Sequence, residues 1–294
     1  MKKIADKIRR IGLIGNSGKV LRADVVAQAA QLIQSSGRQV SCDAATASIA
    51  KLKIPTHATS AALAREVDLL LVFGGDGTML RVAREIAGSA TPMLGVNIGG
   101  LGFLTGVPSD ELPIALKCIW RGEFKYERRA LIEARGICNG KAIRATALND
   151  IVINRGAVSR LIALDVSVDG ELITRYRCDG LIISSPTGST AYSLAAGGAV
   201  VLPTAEVFAM TPICPHALSN RSIILPLSSK ISVKAISPLP ATLLSADGQM
   251  VAELDAGDEV IIRRARRTVR LMQLANSSFL EALRRKLQWR GTYL

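Results

Sequence analysis

Cysteine and histidine are scarce in this sequence, and their distribution excludes two kinds of site. The 294 residues contain five cysteines, an odd number, and no two of them form a C-x-x-C pair. This pattern argues against a disulfide framework and against a zinc site, so we predict reduced and mostly buried thiols. Only His57 and His216 are present, which also argues against a histidine-rich metal centre.

Long apolar runs are missing as well. Segments such as LLLVF (69–73) and LIISS (181–185) are far shorter than the about 20 residues that a membrane helix needs. The basic N-terminus, MKKIADKIRR, leads into IGLIGNSG rather than into an apolar stretch with a cleavage site, so it is not typical of a secretory signal. We therefore expect a cytoplasmic globular protein without a membrane partner, and a chain of this length suggests two domains.

Two common phosphate-binding motifs are absent. A Walker loop requires G-x-x-x-x-G-K-S/T, but the candidate at Gly18-Lys19 has Leu13 in place of the first glycine and Val20 in place of the hydroxyl. Glycines at positions 12, 15 and 18 are spaced G-x-x-G-x-x-G, which is not the dinucleotide fingerprint G-x-G-x-x-G. We interpret this segment as an ordinary loop between a strand and a helix.

The first 123 residues alternate between two kinds of apolar pattern. Short apolar runs predict strands at 11–15, 38–42, 68–74 and 92–99, and apolar residues at helical spacing predict helices at 20–37, 77–88 and 109–122. Ser109 is a candidate cap for the last of these helices. Strands that alternate with helices indicate an α/β domain with a parallel sheet covered on both faces.

From about residue 124 the pattern becomes β-rich. LDVSV-DG-ELITRY predicts a hairpin, because Asp169-Gly170 supplies the two positive φ angles of a two-residue turn. The one clear helical interruption is GSTAYSLAAGG (188–198). We thus predict an α/β domain at 1–123 and an all-β sandwich at 124–270, with a helical segment within 271–294 that packs back on the first domain.

The segment LLLVFGGDGTML (69–80) carries the clearest chemical signal. Gly74, Gly75, Asp76, Gly77 and Thr78 follow a predicted parallel strand and open a helix, which is where α/β sheets bind phosphates. A carboxylate repels a bound anion, so Asp76 does not contribute to phosphate binding by its charge. We expect a different role for it, such as accepting a proton from a hydroxyl or helping to hold Mg²⁺. The structural alternative is a tight turn in which Asp76 caps the helix.

Further polar groups of the kind that hold a nucleoside follow other predicted strands. They lie in NIGGLGFLTG (97–106), at Asn149-Asp150, in Arg177–Gly180, in the hydroxyl-rich PTGSTAYS (186–193) and in Ser245–Gln249. Carboxylates accept hydrogen bonds from ribose hydroxyls, and amides both donate and accept. Asn-Asp and Asp-Gly pairs are also common in plain turns, so both interpretations remain open.

The net charge of +13 suggests a polyanionic partner. It does not choose among nucleic acid, anionic lipid and phosphorylated small molecules. The densest basic segments, IIRRARRTVR (261–270) and LRRKLQWR (283–290), carry few aromatics and match no nucleic-acid module. We therefore favour solvated faces over a nucleic-acid site.

Taken in order, these motifs resemble bacterial NAD kinases. The resemblance rests on GGDGT (74–78), NIGGLGFL (97–104), ND (149–150), DGLIISSPTGSTAYSLAAGG (179–198), TPICPHALSNR (211–221) and DGQ (247–249). It implies phosphorylation of the adenosine ribose 2′-hydroxyl of NAD, with ATP as donor and a divalent metal, most simply Mg²⁺. It also implies a Rossmann-like N-terminal domain, a C-terminal β-sandwich domain, and a homo-oligomer, dimer or tetramer, whose NAD site lies between domains and receives residues from a neighbouring subunit.

The resemblance assigns roles to individual residues. Asp76 is the proton acceptor, and the phosphate loop comprises Gly74, Gly75, Gly77 and Thr78. The implied NAD-binding residues are Asp76, Gly77, Asn149, Asp150, Arg160, Arg177, Asp179, Thr190, Ala191, Tyr192, Ser193, Leu194, Ala195 and Gln249. His216 lies in a matching stretch but receives no role, and the metal ligands are not identified.

Two rival functions remain at the level of sequence. A lipid kinase shares the GGDGT loop, but it needs an apolar entry for an acyl chain, where this sequence has PTGSTAYS. A basic nucleic-acid-binding protein would explain the charge but leaves Asp76 and Asp179 without purpose.

Overall fold

A computed structural model describes residues 8–16, 22–100, 102–157, 160–217, 219–236, 242–275 and 277–289. The chain divides into two compact units, Met1–Arg128 with Val269–Leu294, and Arg129–Thr268. None of the helices in these ranges has the length and apolarity that crossing a bilayer requires.

The strands are β1 (Arg10–Ile14), β2 (Gln39–Asp43), β3 (Thr56–His57), β4 (Leu69–Gly74), β5 (Met93–Asn97), β6 (Val107–Pro108), β7 (Phe124–Cys138), β8 (Lys141–Ala147), β9 (Asp150–Asn154), β10 (Ile162–Val168), β11 (Glu171–Cys178), β12 (Gly180–Ser184), β13 (Val207–Ile213), β14 (Ile223–Pro226), β15 (Ile231–Ala235), β16 (Thr242–Ala246), β17 (Gln249–Leu254) and β18 (Glu259–Leu274). The α-helices are α1 (Ala23–Ser35), α2 (Ala44–Ala50), α3 (Ser60–Glu66), α4 (Asp76–Glu85), α5 (Leu112–Arg121), α6 (Tyr192–Ala195) and α7 (Phe279–Leu287). Single 3₁₀ turns occupy Ser109–Glu111 and Thr187–Thr190.

The first unit is built on a parallel sheet in the order β3-β2-β1-β4-β5. Strand β5 also pairs in parallel with β6 and, at Met93, with Leu271 of β18. Every residue of β4 is buried, which fits a central strand with both faces covered. The predicted α/β domain with a parallel sheet is confirmed.

The long helices of the first unit follow the predicted apolar spacing. Helix α1 buries Val25, Val26, Ala29, Ala30 and Ile33, and the chain leaves it through Gly37 at φ +75°. Ser109 is not a helix cap, and that prediction was wrong. Residues 109–111 form a separate 3₁₀ turn, so α5 begins only at Leu112 and Glu111 occupies its N-cap position.

The second unit consists of antiparallel strands in two groups. One sheet runs β14-β13-β12-β9-β16-β17, and the other strands pair as β11-β10-β15-β18, with β7 beside β18 and β8. Alternate residues of strands in both groups, such as Ile162, Leu164 and Val166 of β10 and Ile151 and Ile153 of β9, share one apolar core. The predicted β-sandwich is therefore confirmed.

Asp-Gly turns close two hairpins of the second unit. Asp169 and Gly170 have φ values of +52° and +91°, and Asp247 and Gly248 have +47° and +72°. These are the two positive angles expected for a two-residue turn, so the predicted hairpin at 169–170 is confirmed.

The predicted helix at 188–198 is only partly present. Thr187–Thr190 form a 3₁₀ turn and Tyr192–Ala195 a single α-helical turn. The Ser189 hydroxyl donates to the Pro186 carbonyl at 2.8 Å and accepts from the N–H of Val201 at 3.0 Å. A hydroxyl that binds the backbone in this way competes with a continuous helix.

Candidate active site

The GGDGT segment lies at the carboxyl edge of the parallel sheet. Strand β4 ends at Gly74, Gly75 is the extended N-cap residue, and α4 begins at Asp76. None of the described side chains makes a cap hydrogen bond to this helix, so Asp76 does not act as its cap. The loop therefore combines a strand end with a helix start, an arrangement that favours anions.

The glycines of this loop differ in what surrounds them. A Cβ built on Gly74 would lie 2.2 Å from Oγ1 of Thr78, so packing requires that glycine. A Cβ on Gly75 or on Gly77 would meet no described atom within 4 Å. Because the fold does not fill the space beside these two glycines, a ligand can approach the backbone there.

Asp76 is bound by a second loop of the same unit. Its carboxylate accepts hydrogen bonds from the N–H of Phe103 at 2.8 Å and the N–H of Leu104 at 3.0 Å. The Thr105 hydroxyl lies at the limit of hydrogen bonding, at 3.5 Å. A Cβ on Gly102 would lie 2.0 Å from Oδ1 of Asp76, so glycine is needed there. These contacts hold the carboxylate in one place beside the phosphate loop.

The second loop follows β5 and is closed by its own asparagine. The Asn97 side chain donates to the Gly100 carbonyl at 2.7 Å and accepts from the N–H of Gly99 at 2.7 Å. The ring of Phe103 packs 6.4 Å from that of Phe279 in α7, and the Lys286 ammonium lies 4.6 Å from the centre of the Phe103 ring. Asn97 thus shapes the loop rather than facing a ligand. Leu101 lies outside the described residues.

A further network joins neighbouring strand ends at this edge of the sheet. The N–H of Gly15 donates to the Thr46 hydroxyl at 2.7 Å, and Arg81 of α4 donates to the Gly15 carbonyl at 2.9 Å. Asp43 accepts from the N–H of Thr46 at 2.9 Å. Sequence reasoning missed these residues. The rejected Walker candidate at 18–19 lies outside the described residues.

In the second unit, Asn149 and Asp150 lie where β9 begins, and Asp247 holds their backbone. The Asp247 carboxylate accepts from the N–H groups of Leu148 at 3.0 Å, Asn149 at 2.8 Å and Asp150 at 3.3 Å. Asp247 lies in the β16–β17 turn. Besides forming this turn, it fixes the backbone of residues 148–150, which the sequence did not reveal. Gln249, just after the turn, is exposed.

The hydroxyl-rich segment packs directly against Asn149. The N–H of Ser185 donates to the Asn149 carbonyl at 2.8 Å, and the N–H of Gly188 donates to the Ser185 hydroxyl at 3.2 Å. A Cβ on Gly188 would lie 2.2 Å from the Asn149 carbonyl oxygen, so only glycine fits. The structure therefore brings the ND pair and the PTGST segment together, as their predicted shared role requires.

Two groups at this position have unusual electrostatics. The Asn149 Oδ1 atom is buried and has no hydrogen-bond partner among the described residues. Burial, and then the negative charge of Asp247, raise the pKa of Asp150 from 3.8 to about 7. A buried acceptor without a donor, beside a carboxyl with a raised pKa, is typical of a ligand site.

The raised pKa of Asp150 predicts a pH dependence of folding. Between about pH 4 and pH 7 the folded chain binds a proton that the unfolded chain has lost, so stability should fall as the pH rises. The rise in the pKa of Asp150 from 3.8 to about 7 corresponds to a loss of about 4 kcal/mol in the free energy of unfolding across this range. Urea unfolding from pH 4 to pH 8 should show this slope in the wild type and lose most of it in Asp150→Asn. Parallel pH profiles for the two proteins would contradict the assignment.

Residues 190–195 are placed in different environments. The Thr190 hydroxyl donates to the Thr187 carbonyl at 3.3 Å, and Tyr192 is 46% exposed. Ser193 is fully buried, with its hydroxyl 3.1 Å from that of Thr211. Ala191 and Leu194 are partly buried and Ala195 is exposed. Ser193 therefore supports the segment from inside, and the accessible members face outward.

Arg160, Arg177 and Asp179 do not join this cluster. Asp150 pairs with Ser184 at one end of the β9–β12 ladder, while Gly180, which follows Asp179, pairs with Asn154 at the other end. Four residues of strand separate the two ends by about 14 Å. At the far end, Arg155 donates to Asp179 at 2.7 Å. Arg160 and Arg177 are exposed there.

Among the described residues, no group of three or more His, Cys, Asp or Glu side chains could hold a metal ion. His216 is exposed, and its N–H donates to the Arg177 carbonyl at 2.8 Å.

Known proteins share both halves of this chain. Residues 11–124 match the family model of the ATP-NAD kinase N-terminal domain, and residues 148–274 match that of the C-terminal domain. An NAD kinase of Moorella thermoacetica is 39% identical over 285 residues, covering 97% of this chain and 91% of the relative. The chain belongs to the NAD kinase family. An NAD kinase of Syntrophotalea carbinolica is 45% identical over 76% of this chain and 79% of the relative.

Solved structures of the family share this fold. Yeast NADH kinase in complex with NADH is 27% identical, with a TM-score of 0.88 over 98% of this chain and 90% of the yeast chain. An NAD kinase of Archaeoglobus fulgidus in complex with ATP is 24% identical and supports the fold, with a TM-score of 0.73 over 96% of this chain and all of the other. The predicted family and the predicted enzyme class, a kinase, are confirmed.

Proposed function

We propose that this enzyme transfers the γ-phosphoryl group of ATP to the 2′-hydroxyl of the adenosine ribose of NAD, forming NADP and ADP. The observation that carries the proposal is the carboxylate of Asp76, held by the N–H groups of Phe103 and Leu104 beside two glycines with open space. A positioned base next to a phosphate-binding loop is what transfer to a hydroxyl requires.

In this reaction Asp76 takes the proton of the 2′-hydroxyl as the oxygen attacks the γ-phosphorus, and the bond to the β-phosphate oxygen breaks. Each carboxylate oxygen has two lone pairs, so the bonds to residues 103 and 104 leave an acceptor site for the substrate. The open space at Gly75 and Gly77 gives the phosphates access to the backbone at the start of α4.

A divalent cation, most simply Mg²⁺, is part of the proposal. Mg²⁺ beside nucleotides is usually held by substrate phosphates, water and only one or two carboxylates. Asp76 is assigned to the proton, and the described residues contain no cluster of metal-ligating side chains, so the residues present fit a cation held mainly by the substrate phosphates and water. The cation would neutralise charge on the phosphates, while the protein orients the hydroxyl and accepts its proton.

We propose that the adenosine part of NAD is bound at Asn149 and Asp150. Ribose hydroxyls donate hydrogen bonds, and the unpartnered Oδ1 atom of Asn149 and the Asp150 carboxyl both accept them. Gln249 and the accessible parts of residues 190–195 are proposed as further contacts.

We propose a homo-oligomer in which a second subunit supplies Arg160, Arg177 and Asp179. The support is the separation of these residues from Asn149 and Asp150 by the length of the β9–β12 ladder. One chain can therefore present the two groups at two different positions, and a symmetric assembly can bring one group from each chain to a shared substrate.

Mixing inactive variants tests this arrangement. Asp150→Ala and Arg177→Ala should each lose activity, and co-expression should restore about a quarter of the wild-type rate if chains pair at random. The matched control is Asp150→Ala with Asn149→Ala, which lie in the same group and should restore nothing. Equal recovery in both mixtures, or in neither, would contradict a shared site.

The identity of the molecule that receives the γ-phosphate tests the proposed reaction. The purified enzyme, given ATP labelled at the γ-phosphate and Mg²⁺, should label NAD and leave diacylglycerol unlabelled. Label in the lipid alone would support the rival lipid kinase.

A further inference from the structure

The second unit carries an arginine cluster that the proposed reaction does not use. The Glu133 carboxylate, 2% exposed, accepts from Arg263 Nε at 2.9 Å, Arg135 Nη2 at 3.1 Å and Arg144 Nη2 at 3.2 Å. These four residues, from β7, β8 and β18, form the Glu133 cluster. Arg263 belongs to the basic segment 261–270, for which the sequence suggested only a solvated face.

The register of the strands forces like charges together in this cluster. Arg135 of β7 lies directly opposite Arg144 of β8, and such a pair is destabilising by itself. Glu133 relieves the repulsion only in part, because one negative charge faces three positive charges. Burial raises the pKa of Glu133, but hydrogen bonds from Arg135 and Arg263 outweigh it and hold the pKa below its usual value. The carboxylate thus stays ionised and fixes the guanidinium groups in place.

The guanidinium groups retain donors that Glu133 does not use. Each has five N–H bonds, and the side chains of Arg135, Arg144 and Arg263 are 42%, 60% and 45% exposed. Arg135 Nε is buried and has no hydrogen-bond partner among the described residues. The cluster therefore presents fixed and partly unused donors with an excess of two positive charges.

We propose that the Glu133 cluster is a binding site for a small, multiply charged oxyanion of the phosphate class, separate from the residues assigned to NAD and ATP. Guanidinium groups match the planar spacing of phosphate oxygens and bind them with charge-assisted hydrogen bonds. By contrast, Arg175 spends two N–H bonds on the single carboxylate of Asp165, at 2.6 and 2.8 Å, and no second arginine shares that carboxylate among the described residues.

Pyrophosphate is the probe that tests the site. Calorimetric titration of the full chain, with NAD and a non-hydrolysable ATP analogue saturating the active site, should show one salt-sensitive binding event. Arg144→Gln should weaken it about tenfold or more, since it removes a charge-assisted bond. The matched control Arg175→Gln removes a similarly exposed arginine that binds Asp165, outside the Glu133 cluster, and should leave binding unchanged. Equal affinity in Arg144→Gln, or equal weakening in Arg175→Gln, would overturn the proposal.

A second variant separates charge from folding. Glu133→Gln removes the compensating carboxylate, so if it melts as the wild type does it should bind pyrophosphate at least as tightly. Weaker binding by a folded Glu133→Gln would contradict the charge argument. In the absence of pyrophosphate, Arg144→Gln should form NADP at the wild-type rate. A wrong proposal for the pyrophosphate site would change only pyrophosphate binding, whereas a wrong proposal for the reaction would show as absence of NADP in the wild type.

Discussion

Asp76→Asn is expected to lower the rate of NADP formation by about 10²- to 10⁴-fold, the usual contribution of a positioned general base. Asparagine keeps the size of the side chain but removes the basic oxygen. NAD affinity should survive, because the replacement takes away a negative charge beside phosphates. The test is to measure single-turnover rates at saturating ATP and NAD, and the dissociation constants of both substrates, for the wild type and for Asp76→Asn.

A control is needed because Asp76 also holds the loop at residues 103–105. The amide of asparagine accepts with only one oxygen, so the variant weakens the bonds to Phe103 and Leu104 as well. Asn97→Ala opens the same loop at Gly99 and Gly100 without touching the base. If Asn97→Ala lost as much activity as Asp76→Asn, or if Asp76→Asn turned over normally, Asp76 would not be the base.

Gly75→Ala is expected to lower kcat/KM for ATP by about 10²-fold while leaving the fold intact. Gly75 is extended, with φ −105°, and no described atom lies within 4 Å of the position that the added methyl group would take, so the chain itself tolerates alanine. The new methyl group instead occupies the space through which the phosphates approach, and a displacement of about 1 Å in a reacting group can cost that factor.

The comparison that isolates this effect is Gly106→Ala. Its Cβ would lie 3.6 Å from Oε1 of Gln273, an ordinary contact, so both stability and activity should stay near wild type. The readouts are melting temperature and the KM for ATP and for NAD. A folded Gly75→Ala with an unchanged rate would show that no phosphate passes beside this glycine.

Much of the fold could be predicted because its signals are local. The buried run of β4, the apolar face of α1 and the Asp-Gly turn at 169–170 are properties of neighbouring residues. Helices α2 and α3 were missed because each has only seven residues. Their signal was present in Asp43 and Thr59, whose side chains accept from the N–H groups of Thr46 and Ala62.

The site was harder to predict, because its decisive contacts join distant segments. Asp76 could be singled out as a carboxylate in a phosphate loop, but its partners follow the next strand of the sheet. Asp247 could be assigned to a turn, whereas its bonds to residues 148–150 depend on how β9 and β16 pair. The separation of Asp179 from Asp150 likewise follows from the antiparallel β9–β12 pairing and not from either motif.

The most direct test of the central claim is a coupled assay of the purified wild-type chain with ATP, Mg²⁺ and NAD. A dehydrogenase specific for NADP reports the product, and ADP is measured in the same samples. We predict that NADP and ADP accumulate in equal amounts and that neither forms when ATP is omitted. ADP without NADP, across the divalent metals tried, would contradict the account.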